Sequence, residues 1–137
     1  MKSYIHKVQY YETDKMGITH HSNYIKWMEE ARIDFLEKTG FGYDRVEALG
    51  IISPVVSVEC RYKTVTKFPE EVMIDVFVES FNGIRLTLGY DMKNKEGKTI
   101  CKAKSEHCFM NAEGRLIDIA KVQPEFYKAV NETQVSE

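Results

Sequence analysis

Residues 23–39 read as a helix whose apolar side is too broad for a flat surface. Ser22 or Asn23 is placed to cap it, and Gly40 stands as a stop just past Thr39. At about 100° per residue, Tyr24, Met28, Ala31 and Phe35 fall within about 60° of one another. Trp27 flanks them on one side, and Ile25 and Leu36 on the other. The apolar arc is therefore about 180° wide, against roughly 100° for a helix lying on a flat sheet. Lys26, Glu29, Glu30, Asp34 and Glu37 fill the remaining side. Something curved must wrap this helix.

The rest of the chain supplies the wrapping. Tyr4, His6, Val8 and Tyr10 alternate with Ile5, Lys7 and Gln9, which predicts a first strand within residues 3–11. Residues 12–22 contain Gly17 and several short polar side chains, and read as a structured loop. After the helix, Val56, Val58, Cys60 and Tyr62 keep a period of two. So do Val72, Ile74, Val76 and Val78, then Ile84, Leu86, Leu88, Tyr90 and Met92, then Cys101, Ala103, Ser105, His107 and Phe109. Asn82-Gly83 is a strong hairpin signal. Four strands with one apolar face each predict an antiparallel sheet covered on one side. The small side chains Cys101, Ala103 and Ser105 suit a strand with a helix close above it. A last short strand is expected at 116–119, and Pro124 opens a terminal helical turn. The fold class is α+β, one domain over residues 1–130, with a polar, frayed tail at 131–137.

Composition narrows the function. The 137 residues, 43% apolar and 29% charged, describe an ordinary globular domain that buries roughly two thirds of its unfolded surface. A net charge of −2 gives no global pull toward nucleic acid or an anionic membrane. No apolar run approaches a membrane span, and residues 1–7 lack a signal-peptide core, so the expected location is cytoplasmic. Cys60, Cys101 and Cys108 contain no CxxC pair and read as free thiols. His20 and His21 are adjacent, with no third ligand at useful spacing, so no metal is expected. His107 reads as a satisfied core histidine.

Three segments carry a family resemblance: Tyr10-Tyr11-Glu12-Thr13-Asp14-Lys15-Met16-Gly17, His20-His21-Ser22-Asn23-Tyr24, and Glu29-Glu30-Ala31-Arg32. Together they resemble the signature of the 4-hydroxybenzoyl-CoA thioesterase family, the YbgC-like branch of the hotdog-fold acyl-CoA thioesterases. The resemblance implies a curled antiparallel sheet around one central helix, with the 56–62 strand at an edge used for pairing. It implies a cofactor-free hydrolase acting on acyl-CoA, assembled as a homodimer or homotetramer with active sites at the subunit interface. By motif, Asp14 matches the family's catalytic carboxylate and His21 its commonly retained histidine.

The chemistry can also be argued from the residues. Thioester hydrolysis needs an activated water or nucleophile, and donors aimed at the oxyanion that develops on the carbonyl. Asp14 lies in the loop directly before the helix. The first helical amides, around His21, Ser22, Asn23 and Tyr24, lack intrahelical acceptors and carry the positive end of the helix dipole. Gly17 lets the loop turn tightly and lets backbone approach a substrate. Gly17, Ser22, Asn23 and Tyr24 are therefore the candidate substrate-binding residues, beside Asp14 as nucleophile or general base and His21 as the group that orients the carbonyl or assists the water. The plainer readings are an Asx turn for Asp14 and a ring bonded to a backbone carbonyl for His21. Two basic strips, Arg61, Lys63 and Lys67, and Lys93, Lys95, Lys98, Lys102 and Lys104, could meet CoA phosphates or be solvated sheet faces. Two other activities stay open, a hotdog hydratase or dehydratase and a non-catalytic acyl-CoA sensor. An aspartate placed before the helix counts against the first, and the lack of a basic DNA-binding helix against the second.

Overall fold

The computed structural model describes residues 1–135, and Ser136 and Glu137 lie outside the described residues. Five antiparallel strands, β1 (Tyr4–Lys7), β2 (Val55–Tyr62), β3 (Glu71–Phe81), β4 (Arg85–Lys93) and β5 (Thr99–Cys108), form one sheet in the order β1-β3-β4-β5-β2. The hotdog expectation is met: the chain is an α+β fold in which helix α1 (Ser22–Lys38) packs its broad apolar side into the sheet. Tyr24, Trp27, Met28, Ala31, Phe35 and Leu36 are buried. Ile25, on the flank of the arc, is not. Helix α1 approaches β3 more extensively than it approaches either β1 or β2.

The meander β3-β4-β5 follows from its hairpins. Asn82 Oδ1 accepts the Ile84 and Arg85 amides at the first, and Asn94 Oδ1 accepts those of Glu96 and Lys98 at the second. Tyr90 lies opposite Ala103, Met92 opposite Cys101 and Leu88 opposite Ser105. The small residues of β5 thus make room for the large ones of β4. Strand β2 pairs with β5 alone and closes the far edge, as the resemblance implied and a simple meander would not. Its apolar alternation does not bury a face within the chain: Val56, Val58 and Tyr62 are 46%, 39% and 48% exposed, and only Cys60 is half-buried.

Four expectations differ from the structure. The first strand is short, because the chain turns after Lys7 and enters a 3-10 turn at Tyr10–Glu12. A second helix, α2 (Tyr43–Ala48), was not signalled, and its one buried residue, Val46, explains the missing periodicity. Residues 116–119 do not form a strand; Leu116 makes a single bridge to Met110, and Asp118 then caps α3 (Ile119–Val122). Helix α4 (Pro124–Val135) runs five residues into the tail read as frayed from 131. It continues because Asn131 Nδ2 donates to Phe81 O and Gln134 Nε2 to Val78 O, so these polar side chains bond the sheet.

Candidate active site

The loop between the 3-10 turn and α1 folds back on itself. Asp14 N–H donates to Ile18 O at 2.8 Å, Gly17 N–H donates to Asp14 O at 3.0 Å, and Thr13 bridges Thr19. Gly17 closes the turn at φ +77°, a conformation other side chains rarely adopt. Asp14 Oδ1 accepts the Met16 amide at 2.8 Å, which is the Asx turn of the plainer reading. That turn does not take the carboxylate out of play. Asp14 lines an open cavity of about 370 Å³ together with His21 and Tyr24 of the helix start and Tyr62, Lys63, Thr64 and Val65 at the end of β2.

His21 occupies the N-cap position, and neither Ser22 nor Asn23 caps the helix by side chain. The early amides differ in their partners. Ser22 N–H donates to His20 Nδ1 at 3.2 Å, Asn23 N–H to His20 O at 3.1 Å and Tyr24 N–H to His21 O at 3.2 Å. The His21 N–H has no acceptor among the described residues. Four candidate donors thus narrow to one. The His21 ring is exposed, stacks on His20 with centroids 4.4 Å apart and meets Tyr62 edge-on. Its backbone carbonyl accepts the Tyr62 hydroxyl at 3.4 Å.

The remaining site residues split between cavity and scaffold. Tyr24 is buried beneath the cavity, 3.1 Å from Thr66 Oγ1, with its ring 5.0 Å from that of Tyr62. Burial pushes its phenol pKa up. Asn23 faces the loop instead, donating to Glu12 O at 2.9 Å and His20 O at 3.1 Å. The Ser22 hydroxyl bonds His20 Nδ1, and Gly17 shapes the turn without lining the cavity.

A family model for the thioesterase-like superfamily matches residues 8–130. The chain belongs to that superfamily. YneP of Bacillus subtilis (strain 168), which carries a provisional acyl-CoA thioesterase name, is 35% identical over 124 residues, 90% of each chain. A DHNA-CoA thioesterase from Staphylococcus aureus is 31% identical and superposes with a TM-score of 0.91, covering 98% of this chain and 91% of that one. The gentisyl-coenzyme A thioesterase BH1999 is 26% identical with a TM-score of 0.80, covering 88% and 97%.

For this superfamily member the sequence did not disclose that Tyr62, Thr64 and Val65 share a cavity with Asp14, because strand alternation does not say which loop a strand end will meet. Of the two basic strips, Arg61, Lys95, Lys102 and Lys104 sit within 4 Å of carboxylates on Glu59, Glu71, Asp91 and Glu79. Lys63 is the member of either strip that lines the cavity. Glu12 was quoted in the motif without a role, and it is buried at 3% exposure beneath the loop. Its carboxylate accepts from His6, from the Gln9 amide and from Trp27.

Proposed function

We propose that the chain hydrolyses acyl-CoA thioesters to free acid and CoA, with Asp14 as nucleophile or general base. The His21 N–H, at the positive end of α1, then receives the developing oxyanion. The observation that carries this reading is that Asp14, His21 and Tyr24 line one cavity while the His21 amide has no acceptor among the described residues. Because a thiolate leaves readily, the reaction needs no strong general acid, and one carboxylate with a backbone donor suffices. The Asx turn fixes the Asp14 rotamer through Oδ1, and Oδ2 has no hydrogen bond among the described residues. Lys63 is the cation the cavity offers to a CoA phosphate. Gly17, Ser22 and Asn23 contribute by shaping the loop and the helix start.

Two copies pairing along β2 would cover Val56, Val58 and Tyr62, and would bring the partner to the cavity, since Tyr62 ends that strand. The proposal is therefore a homodimer, alone or within a tetramer, with its sites at the interface. It is taken to work in the cytoplasm, where Cys60, Cys101 and Cys108 stay as free thiols.

The test is a panel of acetyl-, octanoyl- and benzoyl-CoA, with thiol release followed by DTNB, and crotonyl-CoA assayed for hydration. Release of CoA from at least one thioester is the expected result. Hydration of crotonyl-CoA without thiol release would identify a hydratase, and binding without turnover a sensor.

A further inference from the structure

Glu12 is a buried carboxylate that the proposed chemistry does not use, and charges are removed from water only where strong partners meet them. Three donors from three elements converge on its two oxygens. His6 Nε2 of β1 lies 2.8 Å from Oε1, the Gln9 amide at the head of the 3-10 turn donates to Oε1 at 2.8 Å, and Trp27 Nε1 of α1 donates to Oε2 at 2.7 Å. The cluster continues through His6 Nδ1, 3.1 Å from Glu30 Oε1, which also accepts the Tyr4 hydroxyl at 2.7 Å. Burial alone would push the Glu12 carboxyl up; the hydrogen bonds from Gln9, His6 and Trp27 outweigh it and hold the group below the ordinary carboxylate value.

The main chain of the same residue grips the other end of the loop. Glu12 O accepts the His20 amide at 2.8 Å and Asn23 Nδ2 at 2.9 Å. Asp14 begins two residues after this clamp, and His21 follows directly after the bonded His20. The two reacting groups of the proposed mechanism are thus the two ends of a loop cinched at Glu12.

We infer that Glu12 is a positioning residue of the hydrolytic site, whose buried carboxylate locks β1, the 3-10 turn and α1 so that the Asp14 carboxylate and the His21 amide face one another. This rests on the reading of Asp14 as the reactive carboxylate. Glutamine cannot replace Glu12. With its oxygen toward Gln9 N–H its amide group opposes the Trp27 N–H, and when flipped it opposes the Gln9 N–H.

The experiment compares wild type, E12Q, D14N and E12Q/D14N on whichever of acetyl-, octanoyl- or benzoyl-CoA wild type hydrolyses fastest, with CoA binding measured by calorimetry. E12Q is expected to lower kcat about twentyfold or more, since small misplacements of reacting groups are costly, with KM and the CoA dissociation constant within about threefold. The loss in the double variant is expected to be smaller than the product of the two single losses, because Glu12 acts through the placement of Asp14 and the His21 amide. A folded E12Q with kcat within about twofold of wild type overturns the inference. So do losses that multiply in the double variant. If E12Q does not fold, W27F deletes the donor to Oε2 along with part of the buried ring that packs on His6 and Tyr24; a fall in kcat of about fivefold at unchanged KM is expected, and unchanged kcat overturns the inference. D14N as active as wild type would sink the underlying reading instead, and is distinguished by that variant alone.

Discussion

Acid should unfold this protein partly through one imidazole. His107 is 1% exposed on β5, with Nε2 2.7 Å from Ser105 Oγ, which in turn lies 2.6 Å from the Tyr90 hydroxyl. Burial, helped by the Arg32 guanidinium, pulls its pKa from the ordinary 6.5 down to about 4. The folded state therefore holds His107 neutral where the unfolded chain binds a proton. Between pH 6.5 and 4 the unfolded state carries more protons, so stability falls as pH falls through that window. With those two values the imidazole alone costs about 2 kcal/mol at pH 5 and about 3 kcal/mol at pH 4, relative to neutral pH. H107Q keeps a group able to bond Ser105 and removes the titration. Urea unfolding at pH 7 and pH 5 would show wild type losing about 2 kcal/mol more than H107Q between the two. Parallel losses in the two proteins would refute the reasoning, because every other acid-sensitive group, Glu12 included, is common to both.

Two further outcomes follow from the sheet. A Cβ at Gly89 would run into the Phe77 ring that lies over it, so G89A should cost about 1–3 kcal/mol. Much less should be lost in an F77A background, and chemical denaturation of the four-member cycle measures the coupling. V56K/V58K places like charges on the exposed edge of β2, and sedimentation equilibrium should then show a monomer with little activity, whereas wild type should sediment as the proposed dimer or larger.

The fold was legible because its largest constraint is local. The apolar arc of Tyr24 to Leu36 demanded a curved cover, and period-two runs supplied one. What escaped was decided by tertiary contact. Helix α2 buries only Val46, too little to leave a period. The polar residues Asn131 and Gln134 looked like a frayed tail until β3 offered carbonyls to them. At the site, the motif marked Asp14 and His21, but it could not show that Ser22, Asn23 and Tyr24 amides already have acceptors, or that Tyr62 and Lys63 arrive from β2. The sequence offers Asn23 as a cap or a substrate contact, whereas its side chain ties Glu12 to His20.

The role proposed for Asp14 can be tested with little disturbance, because asparagine at position 14 can still accept the Met16 amide and keep the turn. D14N should lower kcat for acyl-CoA hydrolysis by about 100-fold or more, while CoA binding and Tm stay near wild type. A folded D14N that releases thiol within several-fold of the wild-type rate would contradict the account.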